Sequence, residues 1–259
     1  KEALLVSSPG GPFLSLSVHR REPVLNRESP MYYSPKPTVS HAAALRPGQL
    51  RHVIRVASIT GRQPIRDVML LWLTHSTGVR VTELASIDIR DLLHPSGQMR
   101  EEVYLRAAIT KHSRPRTIYL THPKTIAAVE AWLAYRRERG WGLSPAPEYR
   151  GFRPDERLML THKGRAFELA RKVRQLQGGP VEYRCCDALQ QLMSRLYRQA
   201  GIKGGSSHSG RRTLAAKVLA KTGQIEVVQM LLGHAEADHV WPYLDVDKQT
   251  IRRAFELAI

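Results

Sequence analysis

Two histidines, an arginine and a tyrosine lie close together in sequence near the end of this chain. Tyr243 lies nine residues after His234, His234 lies twenty-three residues after Arg211, and Arg211 closes the tetrad His208-Ser-Gly-Arg211. A phenol can serve as a nucleophile, a guanidinium is a permanent cation that binds oxyanions, and an imidazole exchanges protons near neutral pH. This combination favours chemistry on a phosphodiester.

The chain is strongly basic, which favours a polyanionic partner. It has 259 residues, with 40 Lys and Arg against 23 Asp and Glu, so its formal net charge is +17 and its pI is near 10.4. Solubility alone does not require such an excess, and the cations are spread along the chain instead of forming one tail. We predict a folded surface that binds the phosphates of double-stranded DNA. A merely soluble basic protein is the alternative.

The composition restricts the class of protein further. A hydrophobic content of 42% is enough for a genuine core. The two cysteines are adjacent, at Cys185 and Cys186, which favours a reducing compartment and ordinary packing. No apolar run approaches the ~20 residues of a membrane span, and prolines and glycines interrupt the mildly apolar N-terminus. We expect a cytoplasmic, nucleoid-associated protein without a membrane partner.

Hydrophobic periodicity predicts a mainly α-helical α+β fold from about Leu45 onward. The spacing of apolar residues, with proline and glycine at the ends, predicts helices from Pro47, over Pro64–His75, over Thr82–Ile87, from Pro123, over Phe167–Leu176, from Asp187, from His208 to Gly223 and over Ile225–Leu232.

Two segments rich in β-branched and aromatic residues predict a small antiparallel β-hairpin. They cover Glu102–Ile109 and Arg116–Thr121, and the polar turn between them contains Lys111. We therefore expect a hairpin with a basic tip, and Arg157–Leu160 as a further short strand.

Five pieces of the sequence together resemble the catalytic domain of the tyrosine recombinase (phage integrase) family. They are Thr77-Gly78-Val79-Arg80-Val81-Thr82-Glu83-Leu84, Lys111, His208-Ser-Gly-Arg211, Leu232-Gly233-His234 and Tyr243. They follow the family's order and spacing from about residue 45 to the C-terminus. The resemblance implies the family's catalytic fold. It also implies a site-specific recombinase that cuts and rejoins DNA through a 3′-phosphotyrosyl intermediate and a Holliday junction.

The resemblance makes Tyr243 the nucleophile and makes Arg80 and Arg211 the clamp on the scissile phosphate. The chemistry agrees, because a phenol with an ordinary pKa of about 10 needs nearby cations to attack at neutral pH. Two simpler interpretations stay open. Arg80 can be a surface arginine paired with Glu83, and Tyr243 can be a half-buried residue packed beside Trp241.

The resemblance also assigns the remaining polar groups. His208 corresponds to the general base or structural partner of the clamp, and His234 to a second imidazole that donates to the phosphate. Lys111 corresponds to the hairpin lysine that protonates the leaving 5′-oxygen, with Lys163 and Lys203 as substitutes. A lysine at a hairpin tip can also do no more than bind the DNA backbone, and a lone histidine is more often part of a core.

We expect neither a metal nor another cofactor. His234 and His239 lie five residues apart, but no cysteine or acidic cluster at zinc spacing accompanies them, and no Walker-type glycine-rich loop occurs. A covalent protein–DNA link conserves the energy of the phosphodiester bond, which makes ATP unnecessary.

The resemblance implies further partners besides double-stranded DNA. We expect a homo-tetramer in the synaptic complex, a monomer or weak oligomer when free, and accessory DNA-bending proteins. A C-terminal stripe of Ile251, Phe255 and Ile259 predicts a helix that packs on its own domain or on a neighbouring subunit.

The chain divides, on this interpretation, into a loosely ordered arm or truncated linker over residues 1–44 and a catalytic domain over residues 45–259. Met31 is an alternative start. Two other functions remain as alternatives, a catalytically silent DNA-binding regulator with the same fold and a DNA-relaxing enzyme like the type IB topoisomerases. The sequence does not distinguish integration, excision, inversion and resolution, or cleavage in cis and in trans.

Overall fold

The computed structural model describes residues 42–110, 113–176 and 178–233, all within one compact unit. Lys111, His234, Tyr243 and the C-terminal segment 245–259 therefore lie outside the described residues. In the described part the α-helices are α1 Pro47–Thr60, α2 Pro64–Thr77, α3 Val81–Leu84, α4 Ile89–Leu92, α5 Pro123–Glu138, α6 Asp187–Gln199, α7 Ser209–Thr222 and α8 Ile225–Leu232.

Four strands form two separate antiparallel pairs in the described part. They are β1 Glu102–Leu105, β2 Arg116–Tyr119, β3 Ala170–Leu176 and β4 Gly179–Cys185, with β1 paired to β2 and β3 paired to β4. The predicted class, mainly helical with a small antiparallel sheet, is confirmed.

The helices begin where the sequence predicts because proline occupies the first turn of α1, α2 and α5, where its missing N–H is not needed. Helix α2 lies at the centre and packs against α1, α5 and α7. Its central residues Met69, Leu70, Leu71 and Leu73 are at most 2% exposed. Trp132 of α5 closes the core on one side, and its indole N–H donates to the Leu158 carbonyl at 2.8 Å.

The first predicted hairpin exists but is shorter than expected. Glu102 pairs with Tyr119 and Leu105 with Arg116, whereas Ala107–Ile109 forms a turn of 3-10 helix instead of continuing the strand. The further strand expected over Arg157–Leu160 is also reduced, to isolated bridges at Arg157 and Leu160.

The prediction of a helix over Phe167–Leu176 is wrong, because Ala170–Leu176 forms strand β3. Its partner β4 begins at Gly179, directly after a turn at Gly178, and the pairing runs from Ala170 with Cys185 to Leu176 with Gly179. A few apolar residues at helical spacing indicate a helix only weakly. The glycine turn and the alternation of Val181 and Tyr183 in the partner strand are the stronger signal, and they indicate a hairpin.

None of the described helices has the length and apolar character that a membrane crossing requires.

Candidate functional site

Arg80 occupies a turn that the sequence forces between α2 and α3. Helix α2 ends at Gly78, whose φ of +65° is a left-handed conformation that favours glycine. A Cβ at Gly78 would also lie 3.2 Å from Leu214 and 3.3 Å from Leu232, so α7 and α8 approach this turn closely. Arg80 then precedes the first residue of α3, with its side chain 21% exposed.

Glu83 binds Arg80 through both its main chain and its side chain. The Arg80 backbone N–H donates to one Glu83 carboxylate oxygen at 2.9 Å, and its Nη1 donates to the other at 2.8 Å. The ion pair with Glu83 that the sequence left open as a simpler interpretation of Arg80 is therefore present. It also holds the guanidinium in one place beside the Gly78 turn.

The same carboxylate also binds Arg116 of β2. Two parallel bonds, Nη1 to Oε1 at 2.7 Å and Nη2 to Oε2 at 2.6 Å, form a bidentate pair whose side chains are 7% and 2% exposed. Burial alone would raise the pKa of the Glu83 carboxyl. The hydrogen bonds and charge of Arg116, together with the charge of Arg80, outweigh burial and lower that pKa to about 2. Glu83 is therefore a fixed anion between two arginines.

Arg211 joins three helices at the same place. It lies in the first turn of α7, is 1% exposed, and donates from Nη1 to the Gly78 carbonyl at 2.8 Å and from Nη2 to the Leu232 carbonyl. These oxygens belong to the ends of α2 and α8, where backbone carbonyls lack partners within their own helix. Arg211 and Arg80 are thus held by the same turn, at residues 78 and 80.

The close approach of α7 to α2 depends on Gly210. A Cβ at this position would lie 2.7 Å from the backbone carbon of Thr74, a contact that real Cβ atoms do not make. Glycine therefore lets the first turn of α7 rest on the last turns of α2, which brings Arg211 to the end of α2.

His208 immediately precedes α7 and is exposed. Its Nδ1 lies 3.2 Å from the hydroxyl oxygen of Ser207. Because Arg211 lies three residues further along, the imidazole and the buried guanidinium share the N-terminal turn of a 14-residue helix. The dipole of such a helix favours an anion at this end.

The end of α8 lies against the arginine of β2. Gly233 closes α8 with φ of +62°, and a Cβ there would lie 2.7 Å from Cδ of Arg116. The hairpin strand β2 and the ends of α2 and α8 therefore meet at one place, around Glu83 and Arg211. This arrangement can bind a phosphoryl group, because it concentrates cations where a part-exposed guanidinium and a helix N-terminus are both available.

Of the six predicted site residues, the structure describes Arg80, His208 and Arg211. It places both Arg80 and Arg211 at the Gly78 turn, and His208 within one helical turn of Arg211. The other three, Lys111, His234 and Tyr243, lie outside the described residues. The two substitute lysines, Lys163 and Lys203, are both exposed. Among the residues that the structure describes, no group of three His, Cys, Asp or Glu side chains is arranged to hold a metal ion.

Sequence reasoning missed the joint role of Glu83 and Arg116. Arg80 and Glu83 are three residues apart, which is the spacing at which an acidic side chain caps the start of a helix, and this spacing predicts their contact. Arg116 could have been found from the period of two along β2, because it shares the inward face with the buried Ile118.

Comparisons with known proteins identify the family. The model of the phage integrase family matches residues 44–250. Tyrosine recombinase XerC of Shewanella amazonensis is 25% identical over 227 residues, which cover 86% of this chain and 63% of that protein. This chain therefore spans less than two thirds of the length of that relative.

Two solved structures share the fold. The crystal structure of XerA recombinase has a TM-score of 0.59 and 18% identity, and the match covers 84% of this chain and 65% of that one. The XerH site-specific recombinase bound to palindromic difH substrate in a post-cleavage complex has a TM-score of 0.58 and 19% identity, with 83% and 52% covered. Because the family model matches most of the chain, and the described residues have the fold of these recombinases, this protein belongs to the phage integrase family of tyrosine recombinases.

Proposed function

We propose that residues 45–259 are the catalytic domain of a site-specific recombinase that cuts and rejoins double-stranded DNA through a tyrosyl ester. One observation carries the proposal. The part-exposed Arg80 and the buried Arg211 are both fixed at the Gly78 turn, where they can act together on a scissile phosphate. Membership of the phage integrase family and the relative named for its post-cleavage complex with difH support it.

The proposed reaction has two steps, cleavage of one strand and rejoining to another. The phenol oxygen of Tyr243 attacks the scissile phosphorus, its proton passes to His208, and the bond to the 5′-oxygen breaks. Lys111 gives that oxygen a proton, which leaves a 5′-hydroxyl and a 3′-phosphotyrosyl ester. The 5′-hydroxyl of another strand then returns a proton to Lys111 as its oxygen attacks the ester, and His208 returns a proton to the phenol oxygen of Tyr243 as that oxygen leaves. This joins the strands through a Holliday junction.

Arg80 and Arg211 stabilise the charge that develops on the non-bridging oxygens, with His234 as a further donor. A preorganised cation lowers the barrier because it needs no reorganisation when the charge forms. Glu83 is a positioning residue. It touches no reacting atom, but it holds Arg80 by two hydrogen bonds, and its lowered pKa of about 2 keeps it ionised at neutral pH.

A nicked suicide duplex tests the proposal. Its sequence comes from DNA that crosslinks to the active protein, because the target sequence has to be found first. The wild type should form a covalent adduct with this duplex that survives denaturation, and Tyr243→Phe should form none. Tyr119→Phe is the matched control, because Tyr119 is 55% exposed on β2 and belongs to no proposed step, and it should form the adduct normally.

Other outcomes would replace the proposed function. Binding of the duplex without any adduct would indicate a silent DNA-binding regulator. Relaxation of supercoiled plasmid without recombinant products would indicate a topoisomerase-like activity. An Arg211→Ala variant that is folded and still cleaves at the wild-type rate would contradict the clamp.

The proposal extends to assembly and location. Exchange of strands between two duplexes requires four cleavage events, so we expect four copies in the synaptic complex, a monomer or weak oligomer without DNA, and accessory proteins that bend the DNA. A protein with this task works at the nucleoid in the cytoplasm, and residues 1–44 serve as an arm or linker. Sedimentation with and without the recombination site should show the change from small species to a tetramer.

A further inference from the structure

Strands β3 and β4 form a two-stranded ribbon that projects from the rest of the fold. Apart from the turn and the ends, all of its described side chains are exposed on both faces. Among them are three apolar residues, Val173 at 59%, Val181 at 41% and Tyr183 at 41%. An isolated two-stranded ribbon is only marginally stable in water, so a partner that covers this exposed ribbon would stabilise it.

The charge of the ribbon indicates what kind of partner that is. Its strands contain four cations, Arg171, Lys172, Arg174 and Arg184, and a single acid, Glu182. The register places Arg171 directly opposite Arg184, a like-charge pair that destabilises the free ribbon. Lys172 has a partner in Asp187 at 2.8 Å, but no ion pair within the described fold involves the three arginines. An anion between Arg171 and Arg184 would remove their repulsion.

The ribbon is attached beside the proposed cleavage site. Strand β4 leads directly into α6, and the backbone N–H of Cys186 donates to the hydroxyl of Thr82 at 3.3 Å, two residues from Arg80. Phe167 and Ala188, which lie close in sequence to the two ends of the ribbon, line a cavity of about 470 Å³. The cations that line this cavity are Arg62, Arg66, Lys163, Arg165 and Arg195. Positive charge therefore continues from the attachment of the ribbon over the neighbouring surface.

We infer that the β3–β4 ribbon is a second DNA-contacting element, which binds the duplex outside the cleaved step through its three arginines. The inference rests on the proposed function for the position of the duplex. A major groove about 12 Å wide admits a two-stranded ribbon. Seven residues at ~3.4 Å each reach about 24 Å, which corresponds to about seven base pairs along a duplex.

The test removes the three arginine charges and compares salt dependence. The triple variant Arg171→Gln, Arg174→Gln, Arg184→Gln is titrated against a random-sequence duplex between about 50 and 200 mM salt. Each lost phosphate contact lowers the slope of log K against log salt by about 0.9, so the slope should fall by roughly 2 to 3. Circular dichroism should show a folded protein, because the substituted side chains are exposed.

A control variant removes the same charge elsewhere. Arg139, Arg198 and Lys221 are exposed at the far ends of α5, α6 and α7, whose opposite ends lie near the site. The triple substitution of these residues by glutamine should change the slope by less than about 1, as expected if they contact no phosphate. Equal slope changes in the two triple variants would overturn the inference. So would a ribbon variant that binds DNA normally but loses self-association, because the ribbon would then contact a second copy of the chain.

Failure of the inference and failure of the proposed function are distinguishable. Binding to the random duplex requires no cleavage, so it tests the ribbon alone, whereas the suicide-duplex adduct tests the chemistry alone. An unchanged slope with a normal adduct refutes only the ribbon. A reduced slope without any adduct in the wild type supports the ribbon as a DNA contact and refutes the recombinase.

Discussion

Replacing Glu83 by glutamine should expose how much the site depends on one buried carboxylate. The substitution keeps the size of the side chain and removes the charge that binds Arg80 and Arg116. Each Glu83 oxygen accepts one hydrogen bond from Arg80 and one from Arg116, so glutamine can keep only one of the two bonds to each arginine, and its NH2 group faces cationic donors. The buried Arg116 would then lose its bidentate partner.

The magnitude follows from the pKa of the carboxyl group. A shift from 4.5 to about 2 corresponds, at 1.36 kcal/mol per unit, to about 3 kcal/mol of stability. Removing one member of a buried ion pair costs about 3–5 kcal/mol in other proteins, which agrees. The folded pKa lies below the unfolded one, so the contribution is fully present above pH 4.5 and is lost as the pH falls toward 2. At pH 3 less than about half of it should remain.

Urea unfolding at neutral pH measures the effect. With a slope of about 3 kcal/mol per molar, Glu83→Gln should lower the midpoint by about 1 M. Glu138→Gln is the matched control, because Glu138 is exposed at the end of α5 and should change the midpoint little. Adduct formation should also fall, since Arg80 loses the charge of its positioning residue and one of its two hydrogen bonds to it. Equal midpoints for the two variants, or a difference that persists undiminished at pH 3, would refute this reasoning.

Three further predictions concern packing and protonation. Gly210→Ala should destabilise the protein by about 1–3 kcal/mol and reduce adduct formation, because its Cβ would push α7 and Arg211 away from α2; unfolding and cleavage assays check both effects. Burial lowers the pKa of His75 to about 4, so the free energy of unfolding of the wild type should fall by about 3 kcal/mol as the pH falls from 6.5 to 4. Urea midpoints of His75→Gln should depend less on pH over that window. Trp132→Phe should cost about 2 kcal/mol in calorimetry, since it opens a cavity and removes one of the two donors to the buried Leu158 carbonyl.

The sequence predicted well those features that depend on local signals. A proline marks the start of α2 and a glycine marks its end, and apolar residues at helical spacing form its buried side. The same logic predicted that Arg80 follows a glycine turn and precedes a short helix. These features need no knowledge of distant residues, because a turn or a helix end is decided within a few positions.

The features that the sequence did not predict depend on distant partners. Glu83 binds Arg116 across 33 positions, and nothing local to either residue shows that the two meet in the core. Ribbon strand β3 was mistaken for a helix because its exposed side chains include no alternating apolar face, and only its pairing with β4 makes it a strand. Arg211 was predicted as a clamp from its place in a family pattern, whereas its bonds to Gly78 and Leu232 come from the tertiary fold.

The most direct test of the central claim is to identify the amino acid that carries the DNA. The adduct from the suicide duplex is digested with protease and nuclease, and the remaining nucleotide-linked peptide is sequenced by mass spectrometry. We expect one modified peptide, with the 3′-phosphate on Tyr243. A phosphate attached to any other residue, or a protein that processes its DNA without a covalent intermediate, would contradict it.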